Sequence, residues 1–491
     1  MSKYLQVSLV TLVFLSIGCN LATAEESAEK GKRPNILFAI ADDWSHPHAG
    51  AYGDPVVKTP AFDRLAAEGA LFNHCYVSAP SCTPSRGAIL TGQWHWRLET
   101  AGNLWSKFPD KFAVYPDMLK AAGYDISFCA KGWGPGHTET KGRQLIGPRV
   151  RNFQEFLDKR TKGKPFCFWL GSYDPHRGYK KDSGAASGID LDKIRLPKCF
   201  PDSAEVRGDV ADYYFEVQRF DSAVGAALKS LEEIGELDNT LILVTSDNGM
   251  PFPRCKSNLY DMGCRMPLAV YWAGKIKPGR VVDDFISFTD FAPTFLEAAG
   301  LEIPSDMTGR SFVDVLKSDK SGLVDPKRDY VLFGKERHCP AQEEPKMGGY
   351  PCRAIRSHDF LYVRNFDPNR WPAGTPNSDK AGYRKAWYGD IDGGPTKMYM
   401  YNNRDKNENH RRLFDLSFGK RPGEELYDLS EDPHQLNNVA ADPKYADTLK
   451  KLAKQLTDQL RATGDPRIVG GGEKFDEYPY SGGVPTYPGK K

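Results

Sequence analysis

Asn35-Ile36-Leu37-Phe38-Ala39-Ile40-Ala41 runs straight into Asp42-Asp43, an apolar stretch closed by two carboxylates. A half-exposed strand would alternate apolar and polar residues. A run without alternation reads as a strand of a parallel sheet covered on both faces. Residues 240–245 (TLILVT) repeat the pattern and stop at Ser246-Asp247-Asn248-Gly249. Between these runs, residues 60–69 have helical spacing, with Phe62, Leu65 and Ala66 on one face. Residues 115–123 form another amphipathic helix stopped by Gly123, with strands expected at 126–130 and 166–172 and a long helix at 209–235. Strands alternating with helices predict an α/β fold: a large, mostly parallel or mixed sheet with helices on both faces. Ligands of such sheets sit beyond the carboxyl ends of the strands, where Asp42, Asp43, Asp247 and Asn248 all fall.

After about Asp325 the pattern changes. Residues 330–333, 352–356, 360–364 and 425–429 read as short alternating strands, followed by a helix at 444–462 with Leu449, Leu452, Leu456 and Leu460 in register. The expected division is a larger unit at 33–325, a smaller antiparallel α+β unit at 326–469, and a Gly/Pro/Tyr-rich tail at 470–491, surface-draped or disordered.

The first residues carry a different signal. Lys3, an apolar run at 5–17 and Ala22-Thr23-Ala24 have the layout of a cleaved signal peptide, residues 1–24. Ser16-Ile17-Gly18-Cys19 is lipobox-like and offers an anchor at Cys19, but Ser16 matches poorly, so cleavage after Ala24 is the preferred reading. The run is too short to span a bilayer, and no later segment is long enough. The chain has no Asn-x-Ser/Thr acceptor, which for an exported protein points to a bacterial periplasm or secretion from a bacterium. With 66 Lys and Arg against 64 Asp and Glu, nothing attracts the chain to nucleic acid. Eight cysteines remain besides Cys19 and Cys82; disulfides are permitted in an oxidising compartment, with Cys255/Cys264 and Cys339/Cys352 nearest in sequence.

Asp42, Asp43, Asp247 and Asn248 are hard oxygen donors suited to Ca²⁺ or Mg²⁺. Each pair alone reads as a turn cap, since Asp, Asn and Gly dominate turns. Two pairs at two strand ends favour a metal, because carboxylates gathered without a cation repel one another. Cys82-Thr83-Pro84-Ser85-Arg86 opens a helix, so Cys82 faces unsatisfied backbone N–H groups and Arg86 lies one turn on.

Cys-x-Pro-x-Arg, with Asp-Asp upstream and Asp-Asn-Gly downstream, resembles the formylglycine sulfatases of the alkaline-phosphatase superfamily. Lys58-Thr59-Pro60-Ala61-Phe62-Asp63, Lys256-x-x-x-Tyr260-Asp261-x-Gly263-x-Arg265-x-Pro267 and Glu425-Leu426-Tyr427-Asp428-Leu429 resemble further segments of that family. The resemblance implies an alkaline-phosphatase-like fold, with the unit at 33–325 catalytic. It implies that a maturation enzyme, formylglycine-generating or anaerobic, oxidises Cys82 to formylglycine. Its hydrate would be the nucleophile that takes the sulfo group and then expels sulfate. Position by position, Asp42, Asp43, Cys82, Asp247 and Asn248 would hold the metal, and Arg86 would stabilise the nucleophile. Lys131 would steady the hydrate, His176 would stand at the leaving oxygen as general acid, and Lys256 would bind sulfate. The family's histidine two residues after the lysine is replaced by Trp133, and His137 is the candidate to loop back in its place.

Ser246-Asp247-Asn248-Gly249-Met250-Pro251-Phe252-Pro253, with Asp174-Pro175-His176-Arg177 and Tyr350-Pro351-Cys352-Arg353, looks most like the heparan N-sulfatases. The expected partner is a sulfated saccharide, N- or O-sulfated. Trp371, Tyr383, Trp387, Tyr388, Tyr399 and Tyr401 are candidates for a stacking wall against the sugar, or ordinary packing of the smaller unit. The alternatives are a phosphoester or phosphonate hydrolase on the same scaffold and a non-catalytic sulfated-glycan-binding protein.

Overall fold

The computed structural model describes residues 33–343, 348–381 and 386–481. The expected signal peptide and residues 482–491 of the tail lie outside the described residues. Eight strands form the main sheet: β1 (Asn35–Ala41), β2 (Ala70–Tyr76), β4 (Asp125–Cys129), β6 (Arg149–Val150), β7 (Phe166–Gly171), β8 (Thr240–Ser246), β9 (Arg265–Tyr271) and β10 (Arg280–Ser287). Their order is β10-β2-β9-β8-β1-β7-β4-β6. Only β9 runs antiparallel to its neighbours, so the sheet is mixed and mostly parallel, as its apolar runs require. A short parallel pair, β3 (Ser106–Phe108) with β5 (Gly136–Thr138), stands apart from it.

β1 shows why both faces are covered. Ile36, Phe38 and Ile40 enter one core, while Leu37, Ala39 and Ala41 enter another. The first core packs Phe38 on Phe291 and Phe295 of the helix Phe291–Ala298 and takes in Ile89 and Leu90 of the helix Cys82–Thr91. The second holds Phe62 and Leu65 of the helix Pro60–Glu68 and one side of the long helix Ala204–Glu233. Period two on the strand thus feeds two cores, each apolar side chain adding about 1.5–3 kcal/mol on burial. The long helix starts five residues before the expected Asp209, because the Ser203 hydroxyl caps it by accepting from Val206 N–H.

A second sheet holds β11 (Tyr330–Lys335), β12 (Cys352–Ser357), β13 (Phe360–Asn365) and β14 (Glu424–Asp428), antiparallel in that order. The helix Ala446–Ala462 covers it with Leu452, Leu456 and Leu460. Residues 474–481 of the Gly/Pro/Tyr-rich end do not hang free: Phe475 joins that core and Tyr480 lies under the Arg337 guanidinium. All nine described cysteines are free thiols; of the sequence-neighbour pairs none is joined, and Cys199 instead hydrogen-bonds Cys255. Among the described residues no helix is long and apolar enough to cross a membrane.

Candidate active site

β1 and β8 are parallel neighbours in register, Ala41 opposite Ser246, so their carboxyl ends deliver Asp42-Asp43 and Asp247-Asn248 side by side. Asp43 has φ of 81°, the left-handed region that Asp tolerates better than most residues, and this turns the chain sharply after β1. Its N–H donates to Asp247 Oδ1 at 3.1 Å, and Asn248 Nδ2 donates to its Oδ1 at 2.6 Å. Ligand atoms of Asp42, Asp43, Cys82 and Asp247 all lie within 4.8 Å of one another, fully buried.

Cys82 begins its helix after extended Ser81. The Ser81 hydroxyl does not cap the helix; it bonds His338 Nδ1 at 2.8 Å. Cys82 Sγ lies 3.6 Å from Asp42 Oδ1. Burial pushes the thiol well above its ordinary pKa, and Asp247 adds to the rise, so the unmodified side chain stays a neutral, weak nucleophile.

Three cations hold the carboxylates. Arg86 Nε donates to Asp247 Oδ2 at 2.7 Å, Lys131 Nζ to Asp42 Oδ1 at 2.6 Å, and Lys256 Nζ to Asp43 Oδ2 at 2.8 Å. Burial pushes Asp247 up, but Arg86 and Lys131 outweigh it and keep the carboxylate well below its usual range. Burial raises Asp43 to about 6 against the pull of Lys256 and His176. Asn248 Oδ1 is buried with no hydrogen-bond partner among the described residues. Side-chain cations therefore leave the cluster incompletely satisfied: one carboxylate is reluctant to ionise and one amide oxygen is orphaned. An oxygen-seeking divalent cation fits both deficits.

Local packing fixes the loops that bring these groups in. Arg86 Nη1 donates to the Gly132 carbonyl at 2.8 Å, pinning the Lys131 loop. A Cβ at Gly171, the end of β7, would stand 2.1 Å from the Lys131 carbonyl oxygen, so only glycine permits that approach. Ser257 N–H donates to the Pro80 carbonyl at 2.8 Å and ties the Lys256 loop to the segment before Cys82. His176 gives its Nδ1–H to the Arg177 carbonyl at 2.6 Å, which leaves Nε2 facing Asp43 Oδ2 at 3.8 Å.

The site opens into a cavity of about 940 Å³ lined by Lys131, Trp133, His137, Arg149, Tyr173 and His176, among others. Trp133 packs edge-on against Phe108 and stays in the wall. His137 stands on β5 near the mouth, exposed and bonded to Ser481 Oγ at 3.1 Å. It does not loop back to the carboxylates. Of the aromatic residues expected to stack on a sugar, Trp387, Tyr388 and Tyr401 pack against one another and Phe418 instead, and Tyr383 lies outside the described residues. The cavity's aromatic lining comes from Trp105, Phe128, Trp133 and Tyr173.

Sequence reasoning missed several groups around His176 and Lys256. Arg177 forks onto Asp209 of the long helix at 2.7 and 2.8 Å, and Asp209 also accepts from the Thr396 N–H and hydroxyl. Asp392 Oδ2 lies 3.5 Å from Lys256 Nζ. Burial pushes His338 down to about 4, so it is a neutral imidazole beside Ser81. No local motif marks Asp209, His338 or Asp392; they meet the site only through the tertiary fold.

A sulfatase family model matches residues 34–301. The chain is 29% identical to human N-sulphoglucosamine sulphohydrolase, over 88% of this chain and 91% of that protein. It is 28% identical to an ulvan-active sulfatase of Formosa agariphila, over 90% of this chain and 82% of the relative. A solved structure described as a complex with its substrate D-glucosamine-2-N,6-O-disulfate superposes with a TM-score of 0.62 at 22% identity, over 88% of this chain and 99% of that one. That likeness shows the shared fold.

Proposed function

The chain belongs to the sulfatase family, and on that premise we propose that it hydrolyses sulfate groups from sulfated saccharides, with residue 82 matured to formylglycine and Ca²⁺ as its cation. The observation that carries this is the buried Asp42–Asp43–Asp247–Cys82 cluster, ringed by Arg86, Lys131 and Lys256 and reaching the cavity through Asp42 and Lys131. Asp42, Asp43, Asp247, Asn248 and the oxygen at position 82 would hold the cation. A hydrated formylglycine beside a divalent cation supplies one oxygen acidic enough to attack sulfur and a second hydroxyl whose deprotonation releases sulfate.

The remaining work falls to the side chains. Lys131 and Lys256, which now balance Asp42 and Asp43, are the ammonium groups that meet the charge of the sulfate. Arg86 stays on Asp247 and holds the Lys131 loop. His176, oriented through Nδ1, offers Nε2 to carry the proton for the departing atom. The signal-peptide pattern of residues 1–24 supports export, the missing Asn-x-Ser/Thr acceptor supports a bacterial source, and a formylglycine-forming maturation enzyme is the partner before turnover.

The test is a sulfate-release screen on defined N- and O-sulfated mono- and disaccharides, with the enzyme co-expressed with maturation machinery. Sulfate release is expected, with the peptide bearing residue 82 carrying an aldehyde where the thiol was. Release of phosphate from phosphate or phosphonate monoesters in its place overturns the reading, as does full turnover by unconverted Cys82.

A further inference from the structure

Beside Lys256 stands an acid that the sulfate site does not require. Residues 386–394 are held in place from β11 and the segment after it: Asp390 pairs with buried Lys335 at 2.8 Å and accepts from Cys339 N–H. Lys397 Nζ donates to the carbonyls of Trp387, Tyr388 and Ile391. This fixed loop presents Asp392. Lys256, His176, His338 and Arg177 surround the carboxylate. Its Oδ2 is buried and accepts no hydrogen bond among the described residues, although Lys256 Nζ is 3.5 Å away.

Three facts limit what Asp392 can be doing. A carboxylate serving only as a counter-ion draws its ammonium to about 2.7–2.9 Å, the distance Lys256 keeps to Asp43. A buried acceptor left without a donor carries an unmet desolvation cost. An anion beside a sulfate-binding lysine also repels sulfate, so its presence is counterproductive unless the substrate brings a donor or positive charge.

A sulfate ester has no proton on the atom bridging carbon and sulfur. A sulfamate has one, on nitrogen. When the sulfo group passes to the nucleophile oxygen, an O–S bond forms and the N–S bond breaks. The nitrogen keeps the bonding pair and takes a proton from His176, leaving as an amine that binds a second proton from water. An ester would leave as a neutral alcohol, so only the nitrogen-linked substrate ends as a cation. We propose that Asp392 accepts the N–H of a sulfamate substrate and is the residue that selects N-sulfo over O-sulfo groups, so that the preferred substrate is an N-sulfated amino sugar. This rests on the sulfatase reading above.

The experiment compares kcat/KM for N-sulfoglucosamine and for 6-O-sulfo-N-acetylglucosamine in the matured wild type, Asp392→Asn and Asp392→Glu. Wild type is expected to prefer the N-sulfated sugar. Asp392→Asn should lower that preference about 10- to 150-fold, mostly through kcat, and Asp392→Glu should restore part of it. Equal losses on both sugars would mean that Asp392 serves only Lys256, and no loss would mean that it serves neither; each overturns the proposal. A second measurement needs only wild type. Glucosamine, an ammonium at neutral pH, should inhibit competitively, and N-acetylglucosamine should not; equal inhibition by the two also overturns it. Wild-type turnover of O-sulfated sugars alone defeats this inference and leaves the sulfatase reading standing, whereas no sulfate release from any saccharide defeats the latter.

Discussion

The carboxylate floor of the site and the wall of residues 386–397 beside Lys256 are assembled by different means. The floor comes from two adjacent parallel strand ends, where the hydrogen-bond ladder of β1 with β8 sets Asp42-Asp43 against Asp247-Asn248. The wall beside Lys256 is the segment 386–397, anchored by Lys335–Asp390, by Arg177–Asp209–Thr396 and by Lys397 on three carbonyls. A ladder fixes position through backbone geometry that any apolar run can express. A wall pinned by side chains fixes position only when each distant partner is in place. The floor therefore carries the chemistry shared by a reaction class, and the wall is free to set which leaving group it serves.

Replacing the nucleophile position breaks the floor most completely. Cys82→Ala should lower sulfate release about 10⁴-fold or more, read as kcat with matured wild type as reference. Retained turnover would remove Cys82 from the reaction. Next comes the fastening between floor and wall. Arg177→Ala leaves Asp209 as a buried, unpaired carboxylate and should cost about 3–5 kcal/mol of stability, measured by urea unfolding. Arg177→Lys cannot restore the two-pronged contact and should recover only part of it. A stability within 1 kcal/mol of wild type (roughly the median for any substitution) would show the fork to be dispensable. Cation binding separates the regions more cleanly. Ca²⁺ at 100 times its Kd should stabilise the protein by about 2.7 kcal/mol in thermal unfolding. That gain should vanish in Asp43→Asn and persist in Asp392→Asn. Persistence in both would move the cation away from the carboxylate cluster.

How far the sequence could be read follows the same division. β1, β7 and β8 announce themselves because continuous burial demands continuous apolar residues, and their ends gave the acidic cluster directly. β2 (ALFNHCY) and β10 (RVVDDFIS) carry polar residues mid-strand and were not anticipated; each has an irregular register around those residues. Trp133 marked a departure from the family pattern, and the structure leaves it packed against Phe108 in the cavity lining while His137 stays exposed on β5. His338 and Asp392 could not be found by local pattern. His338 lies 257 positions from the Ser81 it bonds, and Asp392 sits in a turn rich in Asp and Gly, whose local reading is only a turn.

The gentlest probe acts on the wall through pH. Burial pushes Lys397 down to about 8, although Asp392, Cys339 and Asp390 pull it upward. In the unfolded chain the same ammonium titrates near 10.5. Below about pH 8 both states hold the proton and the fold carries the full cost of a buried charge. Between about 8 and 10.5 the unfolded state binds more proton than the native state, so this group's contribution to stability rises with pH. The urea midpoint of wild type should therefore climb, relative to Lys397→Met, as pH goes from 8 to 10. Other groups titrating in that window cancel between the two proteins. Identical slopes would mean that Lys397 is not the buried anchor its three carbonyl contacts describe. At neutral pH, Lys397→Met should loosen residues 387–391 and erode the preference for N-sulfated over O-sulfated sugar, while Ca²⁺ stabilisation stays as in wild type. Loss of the calcium effect together with the preference would show that floor and wall move as one body, coupled through the contacts of Lys256 with Asp43 and Asp392.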